Sequence, residues 1–380
     1  MTDRRWALLI GSGLAISPIH SLWLTNLVTS DGVVTFFVPA LGYFIWIFAT
    51  GLYLTWKVRD WKTVDWGPWQ LIVPMAVIIL SMGISGVVYG DSLGDKLAPL
   101  FFGGFLFALY LLSRRLGKDI FIAFVPFVVV VAISVIVSGI VNPGVPTGGL
   151  ITNYAASAGF LIFGTVVSRF KWQWVLATVA FIALFFVGTL EAVFVVGVLG
   201  IVVLIRRDVS RKVVAIATVG VLLIGVWWAL GHLGPLYEGN YNLSALGEVL
   251  SGGELSDAAL DDITTDRWWG VVNAARNLNM IGHGYTMMTS PETHMVHFVP
   301  MTIVDQIGPL AAIAWLWVTV WCFIKTKWKY AWIAVMAMSV FDHYVWTQFA
   351  PWWWVLVGVS AASMGGGSDR IFTTRSKAKG

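Results

Sequence analysis

The sequence predicts an all-α, polytopic integral membrane protein with about twelve transmembrane helices. Three observations carry this. Only 12% of the 380 residues are charged and 58% are apolar, whereas a water-soluble domain carries about 25% charged residues. Apolar runs of roughly 17–25 residues, long enough to cross a bilayer as a helix, recur along the chain. Lysine and arginine gather in alternate loops, as expected of a chain that keeps its basic residues on the cytoplasmic side.

Taken in order, Arg4 and Arg5 precede an apolar run near 6–26. No small-residue cleavage site follows, and apolar character continues through Ile19. The run is therefore expected to be an uncleaved first span. Further spans are expected near 33–55, 69–90, 97–113, 119–141, 150–168, 172–187, 189–205, 212–231, 296–324, 329–346 and 350–366. The seventh and eighth nearly join, parted by Gly188 and Thr189. Residues 1–380 then form one transmembrane domain, with one long loop, 232–295, between the ninth and tenth spans. The lone Cys322 excludes an intrachain disulfide. The basic tail from Ser368 is the candidate for disorder, with a cytoplasmic anchor as the plainer reading.

With the N-terminus placed inside, 21 of the 24 basic residues fall in inside segments. They include Arg4, Lys57, Arg114, Arg115, Lys118, Arg206, Arg207, Lys325 and Lys379. Only Lys96, Arg267 and Arg276 lie outside, and both termini are expected to be cytoplasmic. Tryptophans mark expected boundaries, because an indole suits the headgroup layer. Trp56, Trp61, Trp66 and Trp69 flank one inside loop, Trp172 and Trp174 another, and Trp352 to Trp354 an outer edge.

The loop 232–295 holds eight acids and two arginines. Asp262 to Asp266 offer N-cap residues before a helix expected from about Arg267 to Asn279. Arg267 and Arg276, nine residues apart, would face opposite sides of it. Guanidinium groups are natural forks for phosphate oxygens, so both are candidate ligands of an anionic substrate. His297 opens the tenth span, with His294 one turn earlier; a neutral imidazole there could take a proton from an attacking hydroxyl. Asp305, two turns beyond His297, and Glu191, at the start of the eighth span, are candidate binding groups, since ionisable groups at membrane depth are costly to keep without a use. Asp342 and His343, inside the eleventh span, invite the same reading. His283 lies between Gly282 and Gly284 and reads as a tight turn. Glu292, His294, His297 and His283 match no metal-binding spacing, and neither metal nor other cofactor is expected. No phosphate-binding glycine loop, serine-nucleophile elbow or Cys-x-x-Cys pair is present, which argues against a nucleotide-driven pump or a serine hydrolase.

Three stretches together resemble the O-antigen ligase and Wzy-type polymerase superfamily of membrane glycosyltransferases. The first is Gly148-Gly149-Leu-Ile-Thr-Asn153-Tyr-Ala155. The second is Arg267 with Trp268 and Trp269, then Gly282-His283-Gly284-Tyr285. The third is His297 with Asp305 and Gly308. Asp342-His343-Tyr344 is similar to a late-span motif of some relatives. The resemblance covers about residues 140–365. Phe298 stands where the family has asparagine, and Gly188-Thr-Leu-Glu191 where relatives carry a Ser-Arg pair.

The resemblance implies transfer of a glycan from an undecaprenyl-pyrophosphate donor to a hydroxyl of a glycolipid or glycan acceptor. The site would lie on the outer face of a bacterial inner membrane and work without a metal and with inversion. Arg267 would bind the pyrophosphate, with Arg276 standing in for the family's second arginine, and His297 would act on the acceptor. A Wzy-type polymerase is the close alternative. A polyprenyl-glycolipid flippase or transporter is more distant: it would show repeat symmetry and a long inner loop between spans six and seven. A non-catalytic scaffold is a third. No nucleic acid is expected as a partner.

Overall fold

A computed structural model describes residues 2–19, 23–29, 32–57, 64–142, 147–151, 153–168, 173–188, 192, 195–199, 269–285, 298–341 and 343–364. Among these the chain is predominantly helical. The helices are α1 (Asp3–Ile16), α2 (Val38–Lys57), α3 (Trp69–Tyr89), α4 (Leu93–Leu116), α5 (Asp119–Ile122), α6 (Phe124–Val141), α7 (Tyr154–Val167), α8 (Gln173–Val187), α9 (Trp269–Arg276), α10 (Val299–Ile307), α11 (Pro309–Lys325), α12 (Lys329–Phe341) and α13 (Ala350–Met364).

Among the described residues, three stretches are long and apolar enough to cross a membrane: Trp69–Tyr89, Leu93–Leu116 and Asp119–Val141. At 1.5 Å per residue each reaches about 30 Å, the thickness of a hydrocarbon layer. The expected spans near 69–90, 97–113 and 119–141 coincide with them. α7, α8, α11 and α12 are apolar but shorter. The expected ninth span, 212–231, lies outside the described residues.

The outward faces say what solvent this bundle suits. Phe44, Phe48 and Leu52 form a stripe at four-residue spacing on α2, and all are exposed. Leu310, Ile313, Trp317, Val320 and Ile324 form another on α11, at alternating three- and four-residue spacing. So much exposed apolar area would be costly in water and is at home in lipid.

The first expected span is shortened by the structure, and the second begins at Val38 rather than near residue 33. α1 ends at Ile16 rather than near residue 26. Beyond it Trp23–Thr29 and Gly32–Phe37 pair as an antiparallel hairpin, β1 and β2. The sequence there is rich in Thr, Val and Phe, residues that suit strands at least as well as helices.

Local chemistry sets the helix ends. Ser92 and Asp95 form a reciprocal capping box on α4, with the Ser92 N–H 3.1 Å from the Asp95 carboxylate. The side chain of Asn153 accepts from the Ala156 N–H and caps α7. The Gly148–Ala155 stretch thus has a structural role, in which a short 3-10 turn, Gly149–Ile151, delivers the chain to a capped helix.

α13 is the centre of the bundle, buried at every residue from Ala350 to Ala361. This corrects the expectation that Trp352 to Trp354 sit at a membrane edge; each is at most 2% exposed. Trp352 stacks on Phe349 and Phe163 and meets Phe124 and Phe160 at ring distances of 4.9 and 5.2 Å. Its indole N–H donates to the Leu14 carbonyl at 2.9 Å, and that of Trp353 to the Thr319 hydroxyl at 3.1 Å. Neither buried donor is left unpaired, which makes the interior tolerable to indoles. Trp56, Trp66 and Trp69 are exposed, as boundary residues should be.

Basic residues assigned by their spacing to one side collect at one pole. Asp3 bridges Lys57 and Arg115 at 3.7 and 3.3 Å. Asp65, Arg114, Lys325 and Ser363 share one cavity of about 590 Å³. The Arg114 guanidinium, 4% exposed, donates to the Asp65 carboxylate and carbonyl. Burial opposes ionisation of Asp65, but hydrogen bonds from Arg114 and the Gly67 N–H outweigh it and hold the carboxyl below its usual range. A depressed folded-state value gives stability that is present above the unfolded-state value and lost as pH falls through the folded one. Asp65→Ala is expected to cost about 1–2 kcal/mol, because it removes the carboxylate bond of a buried arginine and leaves it only the main-chain carbonyl. Thermal unfolding of the detergent-solubilised protein at neutral and acidic pH checks this: the deficit should shrink as the wild-type carboxyl protonates.

Candidate functional site

The opposite pole holds the described part of the polar stretch. It starts from a break that the apolar pattern conceals. The expected span 296–324 is not one helix: α10 stops at Ile307 and α11 starts at Pro309. Proline disfavours helical backbone in the residue before it and has no N–H to continue the ladder. Gly308 occupies the joint at φ +91°, a left-handed backbone that side chains resist.

A helix that stops short of water leaves carbonyls needing donors. At α10 one comes from the joint itself and two come from a loop. The Gly308 N–H donates to the Val304 carbonyl at 3.0 Å, His283 N–H to Asp305 at 2.6 Å, and Gly284 N–H to Gln306 at 3.2 Å. Ser85, on α3, ties the same corner from the other side. Its hydroxyl donates to the Gln306 carbonyl at 2.9 Å and accepts from the Tyr285 N–H at 2.9 Å.

This is backbone packed on backbone, which explains the glycines. Gly282 is at φ +73°, and a Cβ there would collide with the Gln306 carbonyl group. A Cβ on Gly308 would collide with the Met280 carbonyl oxygen. The expectation of a tight turn at 282–284 therefore holds, and the turn is docked on Asp305–Gly308.

Docking brings together two titratable side chains 22 positions apart. His283 Nδ1 lies 3.0 Å from the Asp305 carboxylate. A carboxylate only accepts, so Nδ1 carries the proton in that pair. Both side chains are a little under half exposed, at 45% and 43%. Behind them the Trp346 indole donates to the Gln306 side-chain oxygen at 2.8 Å, and Tyr285 meets Trp346 edge to face. Desolvation pushes the Tyr285 hydroxyl above the usual tyrosine range, so it stays protonated. His283, Tyr285, Tyr89, Asp91, Asp95 and Pro99 line a cleft of about 490 Å³. The Asn279 amide donates to the Tyr89 hydroxyl at 2.7 Å, pinning the loop to the end of α3.

The expected site residues divide sharply. Asp305 and His283 come together. Arg276 ends α9 and is exposed, within the helix expected from about Arg267 to Asn279. Arg267, His294, His297, Glu191 and Asp342 lie outside the described residues. His343 is not in a continuous helix: α12 ends at Phe341, and the Trp346 and Thr347 N–H groups turn back onto the His343 carbonyl. Among the described residues no three His, Cys, Asp or Glu side chains gather as a metal site.

Ser85, Gln306, Trp346 and Tyr89 escaped the sequence reading. The signal for two of them was a polar residue in an apolar run: Ser85 beside Gly86, and Gln306 beside Asp305. Ser85→Ala is expected to destabilise the protein by about 1–3 kcal/mol, because it strands the Tyr285 N–H. Hydrogen exchange at the Tyr285 amide should rise.

No protein-family model matches the chain, and none of the curated proteins compared with it is similar.

Proposed function

We propose that the protein is a membrane glycosyltransferase of the O-antigen ligase type. It transfers a glycan from an undecaprenyl-pyrophosphate donor to an acceptor hydroxyl at the outer face of the membrane, without a metal. One observation supports this above others. The Gly-x-Gly turn and the Asp305–Gly308 corner, each part of the resemblance, dock on one another beside a polar cleft. That cleft lies at the pole opposite the basic cluster.

Transfer asks three things of such a site. A cation must hold the leaving diphosphate, a role that falls to Arg267 and secondarily Arg276. A base must take the hydroxyl proton, which the resemblance places at His297. The lipid donor and acceptor must meet in a fixed geometry, and positioning of that kind is worth several powers of ten in rate.

The deciding experiment is reconstitution. The purified protein in lipid vesicles receives a lipid-linked glycan and candidate acceptors, and product is followed by mass. Transfer to a glycolipid acceptor is the expected result. Chain extension of the donor glycan itself would identify a polymerase. Movement of the lipid between leaflets without transfer would sink the enzymatic reading in favour of a flippase.

A further inference from the structure

The geometry points to the His283–Asp305 pair as the group that takes the proton from the attacking hydroxyl. The inference rests on the glycosyltransferase reading and deepens it, because the resemblance names a different histidine.

Three features carry it. First, Asp305 holds His283 by side chain and main chain together: the carboxylate lies 3.0 Å from Nδ1, and the Asp305 carbonyl accepts the His283 N–H at 2.6 Å. A carboxylate on Nδ1 fixes the tautomer and supports the imidazolium formed when Nε2 accepts a proton. Second, the ring lines the cleft of about 490 Å³. With Nδ1 turned to Asp305, Nε2 is the ring nitrogen left to meet a ligand. Third, the mounting is rigid. Gly282 and Gly308 are packed where no side chain fits, and Ser85 ties the turn to α3. A purely structural turn would need neither the imidazole nor the carboxylate, since its main-chain bonds already cap α10.

The step balances simply. The acceptor oxygen forms a bond to the anomeric carbon of the donor glycan. The bond from that carbon to the phosphate oxygen breaks, and its electron pair leaves with the diphosphate. The hydroxyl proton passes to His283 Nε2, the Asp305 carboxylate stabilises the imidazolium, and the proton then goes to solvent. The other titratable groups lining the cleft beside the ring are Tyr89, Asp91 and Asp95 from the α3–α4 end and Tyr285 from the loop.

The test uses the full-length protein in vesicles and compares His283→Asn, Asp305→Asn and His297→Asn. Asparagine at 283 keeps a donor near the Nδ1 position and the main-chain bond, so the turn survives; unchanged thermal unfolding confirms it. His283→Asn is expected to lower kcat by about 100-fold or more, with the KM for the donor unchanged. It should also abolish the acid limb of the pH–rate profile, the fall in rate as the imidazole becomes protonated. Asp305 acts through His283 as a positioning residue. Asp305→Asn should lower kcat less and leave the KM for the donor unchanged, because the amide oxygen can still accept from Nδ1 and hold the ring. Wild-type kcat and acid limb in His283→Asn, with both lost in His297→Asn, would overturn the proposal and leave the function intact. Absence of transfer by the wild type would overturn the function and this role with it.

Discussion

Gly308→Val is expected to detach the 279–285 loop from the end of α10 and to cost about 3–5 kcal/mol. A β-branched residue at φ +91° carries a backbone penalty of about 1–3 kcal/mol. The larger effect is steric. The new Cβ would overlap the Met280 carbonyl oxygen, which belongs to a main chain that cannot rotate aside. The loop must lift, and the bonds from the His283 and Gly284 N–H groups lift with it, at about 1 kcal/mol each. The observable is hydrogen exchange: protection at the 283 and 284 amides should collapse while α3 and α4 keep theirs. Protection equal to wild type would mean that the joint is not what holds the loop. Gly282→Val should behave alike, since its Cβ meets Gln306 across the same contact.

Arg267→Ala is expected to lower transfer by roughly 100-fold to 1000-fold, the usual cost of removing one group that stabilises developing charge. The case comes from chemistry and charge placement. A diphosphate leaves carrying added negative charge, and Arg267 is one of three basic residues that the loop pattern assigns to the outer side. Arg267→Lys should recover only part of the rate, because an ammonium is a point charge and cannot make the bidentate fork. If Arg276 is the second phosphate ligand, Arg276→Ala should be milder and raise the KM for the donor. Transfer at the wild-type rate by both alanine variants would remove arginine from the mechanism.

The spans from α3 to α6 were legible because nothing competes with continuous apolar character over 20 residues. The joint at Gly308–Pro309 was written in the sequence too, but the apolar residues on either side concealed it. A glycine followed by proline breaks a helix whatever surrounds it. Trp352 to Trp354 were misplaced for a different reason. An indole suits a membrane interface, but it suits a packed interior equally once its N–H finds a partner, and Leu14 and Thr319 are far away in sequence. His283 and Asp305 could not be paired from spacing, because no helical or strand period links positions 22 apart. Their meeting depends on a loop folding back over a helix end, which only the tertiary structure reveals.

The burial of α13 has a consequence for how the chain assembles. This helix follows every other described helix in sequence, and so it leaves the ribosome after them. Yet it lies against α1, α4, α11 and α12 and the aromatic rings of α6 and α7, with Gly358 seated on the Tyr110 main chain. Phe124, Phe160 and Trp315 line the slot it occupies, so the earlier helices cannot complete their packing without it. The last described helix closes that slot.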